Sequence, residues 1–156
     1  MVPGTTGRLT TLVAQTYLCF DFGTRRIGVA VGNTLLGQAT PLKTVAVEGE
    51  ARFGALQALI HEWQPAALVV GVPFHPDGMP HDNTHRARRF GRQLHGRFNL
   101  PVHEVDERYT TTEALSQGAA DADAGAAAII LDQFFHQLQS AHQTDDLCGS
   151  PPKGHE

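Results

Sequence analysis

Apolar residues along the chain recur in two rhythms: short unbroken runs, and longer stretches where they return every third or fourth position. The runs YLCFDF (17–22) and IGVAVG (27–32) predict two β-strands joined by a short turn, with Gly23 supplying the freedom the turn needs. ATPLKTVAV (39–47) predicts a third strand. EARFGALQALIHEWQ carries Phe53, Leu56, Ile60 and Trp63 at helical spacing, and Pro65 stops it. AALVVGVP is apolar throughout, the mark of a strand covered on both faces. Past the loop PFHPDGMPHD, a helix capped by Asp82 or Asn83 is expected to turn Ala87, Phe90 and Leu94 inward and its arginines outward. LPVHEV reads as the fifth strand, and DERYTTTEAL as a turn and short helix entered at Thr110 or Thr111. DADAGAAAIILDQFFHQLQ closes the pattern as a helix with Ile130, Leu131, Phe134 and Leu138 on its apolar stripe. Three strands followed by alternating helices and strands imply a mixed α/β sheet with helices on its faces.

The 156 residues are enough for one domain with a proper core. A hydrophobic fraction of 41% and a charged fraction of 18% fit a soluble globular protein. No apolar run approaches the ~20 residues of a membrane span. Residues 1–16 read as an N-terminal extension running straight into the first strand, so no cleaved leader and a cytoplasmic protein are expected. The segment 141–156, with GSPPKGHE, is expected to be a disordered tail. Cys19 and Cys148 make no disulfide framework or metal site by themselves.

Charge sharpens the picture. The net charge is −4, yet Lys153 is the only Lys or Arg after Tyr109, and five arginines fall between Arg86 and Arg97 without an acid. A basic stripe on an acidic protein can hold a phosphate backbone while the remainder keeps the chain soluble. Such a face is also what any solvated helix presents.

Asp21 is the odd residue of the first strand. An ionised carboxylate among Leu18, Phe20 and Phe22 loses hydration worth several kcal/mol or more, unless something positive meets it. It stands at the carboxyl end of its strand, where sites form in open α/β sheets. Asp106 and Glu107 end the fifth strand in the same way, and Asp121 and Asp123 open the last helix. Acids converging from three elements repel one another unless a cation neutralises them. Oxygen ligands of this kind suit Mg²⁺ or Mn²⁺, and two such ions ~4 Å apart can cleave a phosphodiester. The alternatives are structural: Asp21 capping its own turn, and Asp121 and Asp123 capping the helix. Strand alternation sends Asp106 and Glu107 to opposite faces, so one of them at most is expected to ligate. His81 and His85 have helical spacing but none of the company a zinc site needs.

The motifs FDFGTRRIGVAVG, ATPL, VVGVPFHPDG, RRFGRQL, LPVHEVDERYTTTEA and DAGAAAIIL, in this order, resemble the YqgF/RuvX family. That family comprises RNase H-like proteins described as Holliday junction resolvases and as nucleases maturing the precursor of small-subunit rRNA. The resemblance covers roughly residues 17–140. It implies an RNase H-like five-stranded sheet, the first three strands antiparallel and the next two parallel to the first. It also implies a divalent-metal nuclease with Asp21, Asp106, Glu107 and Asp123 as catalytic acids; Asp21, Glu107 and Asp123 are the expected ligands of Mg²⁺ or Mn²⁺, with the choice between Glu107 and Asp106 left open. Thr24, Arg25, Arg26, Arg88, Arg92 and Arg108 are the expected nucleic-acid contacts. The partners implied are structured RNA such as pre-rRNA, branched DNA and ribosomal precursor particles, met by a monomer or homodimer and without a membrane.

One departure stands out: only LSQGAADA separates Ala114 from Asp123, where the family carries a longer segment. It motivates a second reading, a nucleic-acid or ribosome-assembly binding module with weakened activity. A third comes from FDFGT, which also resembles the phosphate turn of actin- and sugar-kinase-like ATPases, although a chain of this length has no room for their second lobe.

Overall fold

The computed structural model describes residues 15–109 and 121–147. Five strands, β1 (Thr16–Asp21), β2 (Ile27–Asn33), β3 (Gln38–Val45), β4 (Ala67–Val72) and β5 (Val102–Asp106), form one sheet in the order β3-β2-β1-β4-β5. β1, β2 and β3 pair antiparallel, whereas β4 runs parallel to β1 and β5 parallel to β4. This is the mixed sheet the sequence predicts. Three helices accompany it: α1 (Ala51–Trp63), α2 (Asp82–Phe98) and α3 (Ala122–Leu147); a 3-10 turn, Glu107–Tyr109, follows β5.

The period-2 alternation of the strands divides the core into two layers. Leu18 and Phe20 of β1 face α1 and α2, where they pack with Leu56, Leu68, Val70, Phe90 and Leu94. Tyr17 and Cys19 face α3 and meet Val69, Val105, Ile130, Leu131 and Phe134. Each such side chain, when fully buried, contributes about 1.5–3 kcal/mol of transfer free energy. All six residues of β4 are buried, as its unbroken apolar run requires. Alternation continued one step sends Asp21 to the α3 face.

Three local expectations are corrected. In α1, Leu59 rather than Trp63 completes the buried stripe, and Trp63 at the last turn remains 36% exposed. The cap of α2 is His81, not Asp82 or Asn83: its Nδ1 accepts from the Asn83 amide at 3.1 Å, while Thr84 Oγ1 accepts from the His81 amide at 3.0 Å. An imidazole nitrogen supplies the acceptor that a carboxylate or amide normally gives. Finally, α3 continues to Leu147, so the first residues of the segment expected as a disordered tail are helical. The short helix expected after Arg108, with Thr110 and Thr111, lies outside the described residues. Among those described, no helix is long and apolar enough to cross a membrane.

Candidate active site

Asp21 ends β1 and Glu107 opens the turn after β5, two strands away across β4. Glu107 reaches back over β4 at Gly71: a Cβ there would lie 2.6 Å from Glu107 Oε2 and 2.7 Å from Ile130 Cδ1. Only a residue without a side chain leaves that space, and the carboxylate thereby approaches Asp21. Burial and the charge of Asp123 push the Asp21 carboxyl up to about 6. Burial, then Asp21 and Asp106, push Glu107 up to about 7. Two carboxyls that hold protons this far above the ordinary range share a confined, electronegative space.

Asp106 and Glu107 do part ways. Asp106 is gripped by Arg108, whose Nε and Nη2 reach Asp106 Oδ2 at 3.0 and 2.7 Å, and whose backbone amide donates to Oδ1 at 2.9 Å. These bonds hold the Asp106 carboxyl below its usual value. Asp106 thus anchors the turn, and Glu107 is the acid that faces Asp21.

The third element is the start of α3, set by close contact with β2. Gly28 pairs with Asp21 across the β1–β2 ladder. A Cβ on Gly28 would stand 1.9 Å from the Asp123 carbonyl oxygen, so the helix backbone occupies the space a side chain would need. Asp121 is the cap: its Oδ1 accepts from the Ala124 amide at 3.1 Å and from the Thr44 hydroxyl of β3. The Thr44 bond, above all, lowers its carboxyl. Asp123, in the first turn, forms an ion pair with Arg26 Nε at 2.9 Å. Gly23, Thr24, Arg25, Arg26 and Asp123 line a pocket of about 350 Å³.

Asp21, Glu107 and Asp123 therefore interact electrostatically, but they are not a ready-made cage. Among the described residues, no three His, Cys, Asp or Glu side chains form a group able to hold a metal ion as they stand. Arg26 meanwhile occupies the Asp123 carboxylate. The donor set itself fits a hard divalent cation: it consists of oxygens only, and burial and neighbouring carboxylates disfavour the charged forms of Asp21 and Glu107, a cost that a cation offsets.

The expected nucleic-acid contacts fall into two places. Thr24, Arg25 and Arg26 are exposed in the turn beside the acids. Arg88 and Arg92 lie on the α2 face toward β5, in a groove of about 550 Å³ shared with His95 and Val102. Arg88 Nε pairs with Glu104 at 3.3 Å, and the guanidinium groups of Arg88 and Arg108 both stand over Phe74, at 5.1 and 5.6 Å.

Two features escape sequence reasoning. Gly28 had a readable signal, since Gly28, Ala30 and Gly32 alternate along β2 opposite the alanine-rich start of α3, where Ala30 packs on Ala127 and Ala128. Arg52 had none: at the second position of α1 it reads as a solvated residue, yet it is buried and donates to the Thr24 carbonyl at 2.6 Å.

Comparison with known proteins bears on all of this. A family model described as "RuvX: Holliday junction resolvase" matches residues 15–137. A protein of Albidiferax ferrireducens named "Putative pre-16S rRNA nuclease" is 65% identical over 124 residues, 80% of this chain and 80% of its own. Another of that name, from Paraburkholderia phymatum, is 50% identical over 150 residues, 92% of this chain and 96% of its own. Among solved structures, T. thermophilus RuvC in complex with Holliday junction substrate superposes with a TM-score of 0.50 at 17% identity. That match covers 80% of this chain and 96% of the RuvC chain, and it speaks to the fold.

Proposed function

The chain belongs to the RuvX family, and from that membership we propose that it is a nuclease hydrolysing phosphodiester bonds in structured nucleic acid. The candidate substrates are the precursor of 16S rRNA and the four-way DNA junction. One observation carries the chemical side of this reading: Asp21 and Glu107 bury their carboxyls at one edge of the sheet, where Glu107 feels the charge of Asp21 and Asp21 that of Asp123.

Asp21, Glu107 and Asp123 would hold Mg²⁺ or Mn²⁺. Bound there, divalent ions supply an activated water and stabilise the leaving oxygen. The chain's own residues supply the remainder. Asp106 and Arg108 fix the turn that presents Glu107. Arg26 keeps Asp123 neutralised until substrate arrives, then is free to meet a phosphate oxygen. Thr24 and Arg25, exposed on the same turn, orient the strand. Arg88 and Arg92 give a more distant phosphate track along α2.

A second reading, a binding module with weakened chemistry, draws on the ion pair that holds Asp123 to Arg26. The family match spans the FDFGT turn and supports the nuclease reading over a sugar-kinase-like ATPase. Incubation with Mg²⁺ or Mn²⁺ and each of the two substrates separates what remains, with Asp21→Asn run alongside. A nuclease cuts at least one substrate and stops on chelation or in the variant. A binding module retains both without cutting either.

A further inference from the structure

The turn that borders the acids also borders a second pocket, on the opposite face of the sheet. Asp21 points to the α3 side, while the next residue, Phe22, packs against Phe90 on the α1–α2 side, 4.8 Å between ring centroids. Phe22, Glu50, Arg52, Phe53, Arg86 and Arg89 line a pocket of about 260 Å³ there.

Its charge is strongly one-sided. Three guanidinium groups face it, and its one carboxylate, Glu50, is already paired with Arg97. Arg86 and Arg89 are exposed on α2, one helical turn apart; Arg86 also reaches Asn83 Oδ1 at 3.2 Å. Arg52 is different. It is only 9% exposed, its Nη2 donates to the Thr24 carbonyl, and its Nε is buried without a hydrogen-bond partner. A buried charged donor left unpaired bears its full desolvation cost, and an anionic oxygen is the partner that best relieves it. The planar fork of arginine suits a phosphate in particular.

We propose that this pocket is a second phosphate site, holding a backbone phosphate of the substrate strand adjacent to the one being cut. The proposal rests on the nuclease reading for the identity of its ligand. The turn from Gly23 to Arg26 stands between the two pockets, and the Arg52–Thr24 hydrogen bond ties them together. A strand crossing this edge of the sheet lays one phosphate on each side of the turn. Arg52, Arg86 and Arg89 then set the register in which the scissile bond meets Asp21 and Glu107.

The test uses the full chain in chelator, where no cleavage occurs. The Arg52 Nε–H resonance is followed by NMR during titration with a short single-stranded oligonucleotide and, separately, with inorganic phosphate. Salt dependence of oligonucleotide binding is compared between wild type and the double variant Arg86→Ala with Arg89→Ala, whose positions are exposed and leave the core intact. The oligonucleotide is expected to move the Arg52 resonance over its binding range, with inorganic phosphate requiring far higher concentration. The double variant should bind roughly tenfold more weakly and lose about 1–2 units of salt slope, at ~0.7–0.9 per phosphate contact. An unmoved resonance or an unchanged slope overturns the proposal. So does inorganic phosphate acting as well as the oligonucleotide, which would make this a free-anion site. If the resonance and slope respond but no metal supports cleavage, the nuclease reading falls and the pocket stands. Cleavage with an unresponsive pocket gives the reverse.

Discussion

The backbone of Asp123 sits where a side chain on Gly28 would be, with 1.9 Å between a Cβ built on Gly28 and the Asp123 carbonyl oxygen. Because Gly28 is also the ladder partner of Asp21, one missing side chain brings the acid of β1 and the acid of α3 together. Gly28→Ala must lift the start of α3 off the sheet. The expected result is a loss of about 1–3 kcal/mol in stability, as for an overpacked core, with a disproportionate loss of cleavage. Denaturant unfolding and cleavage assays on the same preparation check both. Full activity in a folded Gly28→Ala protein would detach the α3 acid from the chemistry.

Metal-free stability should fall as pH rises. In the fold, burial and neighbouring carboxylates push Asp21 up to about 6 and Glu107 up to about 7, above the ordinary values of 3.8 and 4.5. A raised carboxyl binds more protons folded than unfolded, so its stabilisation is complete below the unfolded pKa and is lost as pH climbs through the folded one. The window runs from about pH 4 to pH 7, and each group contributes at most about 3 kcal/mol at ~1.4 kcal/mol per unit, less together because they share their repulsion. Thermal melts in chelator should show a higher Tm at pH 5 than at pH 8. Added Mn²⁺ should narrow that gap by stabilising the pH 8 sample more. A metal-free Tm that rises across this range would contradict the shared burial of the two acids.

Asp21→Asn mimics the protonated acid. It should cut cleavage by about 10²-fold or more, the equivalent of several kcal/mol of charge stabilisation. The same change should make the metal-free protein more stable by about 1–3 kcal/mol at pH 8 and by little at pH 5. A variant that is inactive and also less stable at pH 8 would point to a structural aspartate.

Arg26→Ala tests the ion pair with Asp123. Freed from its counterion, Asp123 should bind Mn²⁺ more tightly, read as a larger Tm shift at a given metal concentration. Strand affinity should lose about one unit of salt slope for the phosphate contact removed. Weaker metal response would mean that Arg26 holds Asp123 in its ligating position instead of competing for it.

Much of this architecture is legible along the chain. The apolar runs of β1, β2 and β4 are long enough and dense enough to announce themselves, and Asp21 is conspicuous as the one charged residue of an apolar strand. The choice between Asp106 and Glu107 is different. Alternation says that they diverge, but which one faces Asp21 depends on the 3-10 turn after β5 and on the space above Gly71, both settled by tertiary packing. His81 as a helix cap is hidden for a related reason: two better capping residues follow it, and the start of the helix is tied by Thr84, which bonds both the His81 amide and the Pro73 carbonyl of a preceding loop. Arg52 could not be foreseen, since its burial depends on a carbonyl contributed by a distant turn.

The void over Gly71 has two tenants, an ionisable oxygen of Glu107 and a methyl of Ile130. A polar group and a hydrophobic one therefore share the same small space. A larger residue at this point in β4 could not be absorbed by one neighbour alone: either the acid is expelled toward water or the α3 layer loosens. Tolerance of substitution here is thus a joint property of the Glu107 carboxylate's placement and of folding, and neither can be retuned without disturbing the other.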